Sequence, residues 1–246
     1  MFKLALGGLT TTEDLPNPLS SVLDVGCGTG IWARQFAAAH SSADVLGVDL
    51  APPRTENQQF PSNCSFVQGD VEKDWTFATS KIFDFVFARL LIAGIKDWHR
   101  LCKTVYDHLR PGGIFEVCEG VITFRAYDES INSSNSAIME WYEHFRAAVT
   151  KRGLHPDAAL GFSKLASHCG FEVVQDREIR LSLDADLAES CGDIKNGAFV
   201  AEEMRNDLRV LVENLTEKGI GSGELAEKAL ADMEENAKAR GYHCVQ

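Results

Sequence analysis

Val22-Leu23-Asp24-Val25-Gly26-Cys27-Gly28-Thr29-Gly30 reads as a buried strand that runs into a glycine turn and opens a helix at Ile31. Glycines let the main chain turn left-handed and let a ligand approach the backbone at a helix N-terminus. A dinucleotide fingerprint sets its third glycine three residues after the second, so that a pyrophosphate rests on the helix. Here that position is Ile31, the third glycine comes two residues after the second, and Asp24 stands two residues before the first.

Further short apolar runs follow, each ending in a polar or charged residue. Val45-Leu46-Gly47-Val48 ends in Asp49, 23 residues after Gly26 and near the spacing at which a carboxylate accepts ribose hydroxyls; Leu50 follows it. Cys64-Ser65-Phe66-Val67-Gln68 leads to Gly69-Asp70-Val71. Phe83-Asp84-Phe85-Val86-Phe87-Ala88 carries Arg89 and Leu90 at its end, and Leu109-Arg110-Pro111-Gly112-Gly113 opens a fifth run, 114–119, that closes on Glu119. Taken singly, the glycine cluster is equally an ordinary tight turn, and Asp49 equally a strand-end turn former or cap. Taken in order, they place glycines and acids at successive strand ends, where open α/β sheets bind ligands.

The DxGxGxG pattern with Asp49, Asp70 and the Pro-Gly-Gly strand entry resembles the class I S-adenosylmethionine-dependent methyltransferases. The narrower set Gly30-Ile31-Trp32-Ala33, Glu72-Lys73-Asp74-Trp75-Thr76-Phe77, Arg89-Leu90-Leu91 and Gly94-Ile95-Lys96-Asp97-Trp98 is similar to the fungal LaeA-like, secondary-metabolism group, closely over 6–119 and only in pattern afterwards. The resemblance implies S-adenosylmethionine as cofactor, S-adenosylhomocysteine as product, and a phosphate-free ligand whose cationic amine and sulfonium suit an acid at the loop. It implies binding by Asp24, Gly26, Cys27, Gly28, Gly30, Asp49, Leu50, Asp70, Val71 and Arg89, with Asp49 on the ribose, Asp70 on the adenine amino group and Val71 against the ring. It also implies a doubly wound, mostly parallel, seven-stranded Rossmann-like sheet with helices on both faces. The last strand, left to 242–246, is expected to be short or missing. Family members usually carry a longer segment before the glycine loop, so closure of the pocket is expected from other elements.

Length fits one methyltransferase domain over 1–246, with a cofactor core at 21–119 and a helical cap or substrate region at 120–169 and 184–246. A net charge of −12 argues against nucleic acid as a partner, because phosphate neutralisation needs a basic face. Seven cysteines without a CxxC pair point to reduced thiols in the cytosol or nucleus and to no zinc site. No apolar stretch approaches the roughly 20 residues of a membrane span, and the start lacks a signal-peptide pattern.

Helices are expected over 31–40, where Trp32 and Phe36 pack on the sheet, and over 97–110 behind an Asp97 cap. A loop is expected to about 135, and then Ile138, Trp141, Tyr142, Phe145 and Val149 recur at helical spacing as a core stripe. A sixth strand is expected from 170 toward 183. Two terminal helices follow, one with Phe199, Val200, Met204, Leu208, Leu211 and Leu215 inside and one starting at Ser222. Glu119, Tyr127 and His144 are the candidates for a catalytic base or orienting group, although Glu119 also reads as a partner of strand-end backbone and His144 as a surface residue. The pattern supports a methyltransferase acting on oxygen or nitrogen of a small natural product. The alternatives are a regulatory protein that works through a velvet-type partner and an enzyme that keeps the cofactor without transferring its methyl group. Neither the acceptor nor the oligomeric state is legible in the sequence.

Overall fold

Strand β1 (Ser21–Val25) is buried from Val22 to Val25, which explains why its letters are apolar on both faces except for one acid. Strands β2 (Asp44–Asp49), β3 (Cys64–Gln68), β4 (Phe83–Arg89) and β5 (Leu109–Cys118) join it in one parallel sheet of order β3-β2-β1-β4-β5. Its register sets Val22 opposite Val45 on one side and Phe85 on the other. The computed structural model describes residues 15–53, 60–79, 82–126, 130–186, 197–240 and 242–245. They fall into two compact units, 15–119 with 161–174 and 120–160 with 175–245. None of their helices is long and apolar enough to cross a membrane.

In the first unit, helix α1 (Ile31–Ala39) buries Trp32, Ala33, Phe36 and Ala37 against Val22, Val45, Phe85 and Phe87, with Ile114 at the edge. The rings stack: Trp32 lies 4.1 Å from Phe87 at 6° and 4.7 Å from Phe36. Helix α2 (Trp98–His108) begins at Asp97, whose side chain accepts the Arg100 N–H at 2.9 Å. Its Cys102 packs with Ala166 and Cys169 around helix α4 (Phe162–His168), against Phe115. Side chains alternate along a strand, so Ile114 and Phe115 point to opposite faces and helices cover both. A buried staple holds the entrance of β1, where Asp84 Oδ2 accepts the Ser20 and Ser21 N–H groups at 2.5 and 2.8 Å and the same carboxylate pairs with Arg110.

In the second unit, helix α3 (Ala137–Lys151) buries the expected stripe of Ile138, Trp141, Tyr142, Phe145 and Val149. It packs with helix α6 (Gly223–Arg240), which packs in turn on helix α5 (Gly197–Glu217). Asp232 of α6 centres a buried polar knot: it accepts from Ser136 Oγ at 2.8 Å, from Tyr242 OH at 3.0 Å and from Asn236 Nδ2 at 3.0 Å. Such groups are tolerated in an interior because each finds a partner.

Several expectations are corrected. Among the described residues the parallel sheet has five strands, and the remaining strands form a separate three-stranded sheet, β6-β8-β7, from β6 (Val121–Arg125), β7 (Arg180–Ser182) and β8 (His243–Val245). Residues 121–125, expected as loop, are a strand because β8 pairs with them antiparallel. The last strand is short, as expected: three residues that pair antiparallel with β7. That length limits β7: beyond 180–182 there is no ladder, and 171–179 has no regular structure, with Glu172 to Glu178 exposed. On α5, Phe199 is 47% exposed and Val212 takes the buried place instead.

Trp32→Ala is expected to lower unfolding free energy by roughly 3–5 kcal/mol, the cost of emptying a fully packed aromatic site. Denaturant titration with constant slope is the check.

Candidate functional site

Because β1 to β5 are parallel, their carboxyl ends lie on one side of the sheet, and the order reverses between β1 and β4. That switch point is where open α/β sheets make a crevice. The glycine loop leaves β1 there. Gly26, Gly28 and Gly30 have φ of 66°, 52° and 70°, a left-handed run that side chains rarely accept. Neighbours enforce it at two of the three. A Cβ on Gly26 would lie 2.2 Å from Leu91 Cδ2, and one on Gly30 would lie 2.6 Å from the Phe66 ring. Around Gly28 no atom of the described residues stands within 4 Å of that point, which leaves that face open among them.

Asp49, at the end of β2, braces the loop. Its Oδ2 accepts the Gly28 N–H and its Oδ1 the Ala51 N–H, both at 2.9 Å. The Cys27 N–H donates to Val48 O at 2.9 Å, and burial, then Asp24 and Asp49, push the Cys27 thiol up, which makes it a packing residue and not a nucleophile. Leu50 beside it is 65% exposed, with its carbonyl accepting from Gln68 Nε2 at 2.9 Å. At the end of β3, Asp70 accepts the Glu72 N–H at 3.1 Å and pairs with Lys73 at 3.2 Å; the first of these, before the cation, holds its carboxyl below the usual range. Val71 is half-buried, and its carbonyl accepts from Trp75 Nε1 at 3.1 Å.

Asp24 is the unusual member. It is buried in β1, and among the described residues its Oδ2 has no hydrogen-bond partner. Burial raises it from 3.8 to about 7, against the opposing pull of the Arg89 guanidinium and the Ala33 N–H. Arg89, at the end of β4, lies over the Phe87 ring at 5.8 Å. A half-neutral, half-satisfied buried acid beside an open glycine turn suits a ligand that brings its own positive charge.

All ten residues expected at the cofactor therefore stand at the ends of β1 to β4. Of the three catalytic candidates, Glu119 belongs to the same unit. Glu119, just past β5, is buried, and its two oxygens accept the Leu91 and Ile92 N–H groups at 2.6 and 3.1 Å. His144 is exposed on α3 of the second unit, and Tyr127 lies outside the described residues. Four site residues escaped sequence reasoning. Phe66 and Gly47 meet face to face, a Cβ on Gly47 falling 2.6 Å from the ring. Leu91 packs on Gly26, and Glu72 Oε1 accepts the Lys96 and Asp97 N–H groups at 2.7 and 3.0 Å. A glycine inside the β2 run was the one signal that could have pointed to such a close approach.

Burial also raises Glu119, from 4.5 to about 7. Asp24 and Glu119 thus hold protons in the folded chain that they release near 4 when unfolded. Between about pH 4 and 7 the folded state binds more protons, so stability falls as pH rises through that window. Scanning calorimetry of ligand-free protein is expected to give a lower Tm at pH 8 than at pH 5.5, and Asp24→Asn is expected to flatten the difference.

Comparison with known proteins agrees with this geometry. A family model described as a methyltransferase domain matches residues 3–176. Methyltransferase pytC of Aspergillus terreus is 33% identical over 186 residues, covering 73% of this chain and 56% of that protein. The secondary metabolism regulator laeA of Aspergillus niger is 37% identical over 133 residues, 54% of this chain and 34% of its own. The chain thus spans about half the length of the first relative and a third of the second. Phosphoethanolamine N-methyltransferase 2 of Haemonchus contortus, solved with phosphomonomethylethanolamine and S-adenosylhomocysteine, superposes with a TM-score of 0.53 at 19% identity, over 98% of this chain and 50% of that one. That likeness shows the fold.

Proposed function

The chain belongs to the methyltransferase-domain family, and we propose that it is an S-adenosylmethionine-dependent methyltransferase acting on oxygen or nitrogen of a small natural product. The observation that carries the reading is Asp24, buried with an oxygen that has no partner among the described residues, beside a glycine loop whose middle residue none of them covers. Asp24 is the seat for the cationic amine, and a cation held there would draw its proton off. Asp49, already fixed by the Gly28 and Ala51 N–H groups, has its remaining lone pairs for the ribose hydroxyls. Asp70 and Val71 take the adenine edge and face, and exposed Leu50 adds apolar cover.

When bound, the sulfonium supplies an electrophilic methyl group for an in-line displacement. The protein's part is to hold the acceptor in line and dry, and a base matters only for a hydroxyl acceptor. Glu119 spends its carboxylate on backbone. Arg89 is placed to anchor an anionic group of the acceptor once a ligand cation shares Asp24.

A second reading is favoured by the laeA relatives, named as regulators of secondary metabolism. In it the same cofactor-bound fold works in the cytosol or nucleus through a velvet-type protein, with or without methyl transfer.

Calorimetry with S-adenosylhomocysteine is expected to show binding, and Asp49→Ala to weaken it roughly 10- to 100-fold with the melting transition kept. An unchanged dissociation constant removes Asp49 from the site. Labelled methyl donor with a metabolite extract is expected to mark a small molecule. Tight cofactor binding without a labelled product, together with a co-purified protein, moves the function to the regulatory reading.

A further inference from the structure

The turn that leaves β4 is strained. Leu90 has φ 56°, alone among the described non-glycine residues in the left-handed region. A bulky residue stays there only when its surroundings hold it. The holding groups are the Cys118 carbonyl and the Glu119 carboxylate. The Leu90 N–H donates to Cys118 O at 3.1 Å, and the next two N–H groups, of Leu91 and Ile92, go to the two oxygens of buried Glu119. Six residues on, Glu72 catches the Lys96 and Asp97 N–H groups. The segment from 90 to 97 is therefore a strap tied at both ends by carboxylates. Its Leu91 side chain presses on Gly26, where a Cβ would fall 2.2 Å from Cδ2.

We propose that Glu119 is a positioning residue of the methyl-donor site: by gripping Leu91 and Ile92 it keeps Leu90 in its left-handed turn and seats Leu91 on Gly26, so that the β4 wall and the glycine loop form one rigid piece. The inference rests on the reading that this loop binds the methyl donor. It gives Glu119 a task in which the carboxylate never touches substrate. Leu90, strained and 48% exposed, is the residue the clamp presents beside the cleft. Above about pH 7, where the Glu119 carboxyl is ionised, the two hydrogen bonds are charge-assisted, which makes them strong enough to hold a conformation that the chain would otherwise leave.

The test is calorimetry with S-adenosylhomocysteine on the full chain and its variants. Glu119→Gln sets an amide donor against one of the two N–H groups, and affinity is expected to fall roughly tenfold. Leu91→Ala, which keeps the clamp and removes its pressure on Gly26, is expected to fall alike. Leu90→Gly in the Glu119→Gln background is expected to recover most of the loss, because glycine takes that φ unaided; a residue that merely stabilised the core would not be rescued in this way. Hydrogen exchange of the Leu91 and Ile92 amides is expected to quicken in Glu119→Gln without any ligand present.

An unchanged dissociation constant in Glu119→Gln, or a loss that Leu90→Gly leaves in place, overturns the inference. If Glu119→Gln does not fold, unchanged affinity in Leu91→Ala overturns it. Wild-type protein that binds neither methyl donor nor product overturns the functional reading and this role with it, whereas binding by wild type with an indifferent Glu119→Gln overturns this role alone.

Discussion

The cleft depends on glycines packed so closely that an added Cβ would force a neighbour to shift. Gly26, Gly30 and Gly47 each meet a neighbour closer than any Cβ allows: Leu91 at the first, the Phe66 ring at the other two. These contacts pull β1, β2 and β3 and the turn after β4 together, so that their ends share one crevice. Two of the glycines also carry the left-handed backbone that turns the chain from strand to helix. Closeness and chirality are met by the same residue type, and no other residue meets both.

Around that contact the acids do two kinds of work. Asp49, Asp70, Glu72 and Glu119 all accept backbone N–H groups from loops and turns at the strand ends. They set the shape of the cleft, and Asp49 retains lone pairs for a ligand beyond that duty. Asp24 differs, because burial and an unpartnered oxygen leave it with unspent electrostatic demand. A chain that carries −12 overall has spent several of its acids on holding loops at this one end of the sheet.

The second unit follows different logic. An aromatic face on α3 and a polar knot about Asp232 organise it, with Ser136 and Tyr242 brought to that carboxylate from 96 and 10 residues away in sequence. Its sheet depends on a last strand of three residues, which pairs with two segments distant in the chain. Neither the strand at 121–125 nor the shortness of the one at 180–182 has a local signature, since both follow from where that last strand lies.

Sequence alone determined the parallel core and the acids at its strand ends. Strand letters buried on both faces, glycine spacing and acids at strand ends are local patterns, and Trp32, Phe36 and the α3 stripe could be placed by period because burial repeats with the helix. Only tertiary structure decided what those acids hold. That Glu119 serves Leu91 and Ile92, 28 and 27 residues away, and that Leu91 rests on Gly26, are facts of parallel register between β1, β4 and β5. Hydrogen bonds between distant strand ends leave no period in the letters, so the chemistry of each residue was legible and its partner was not.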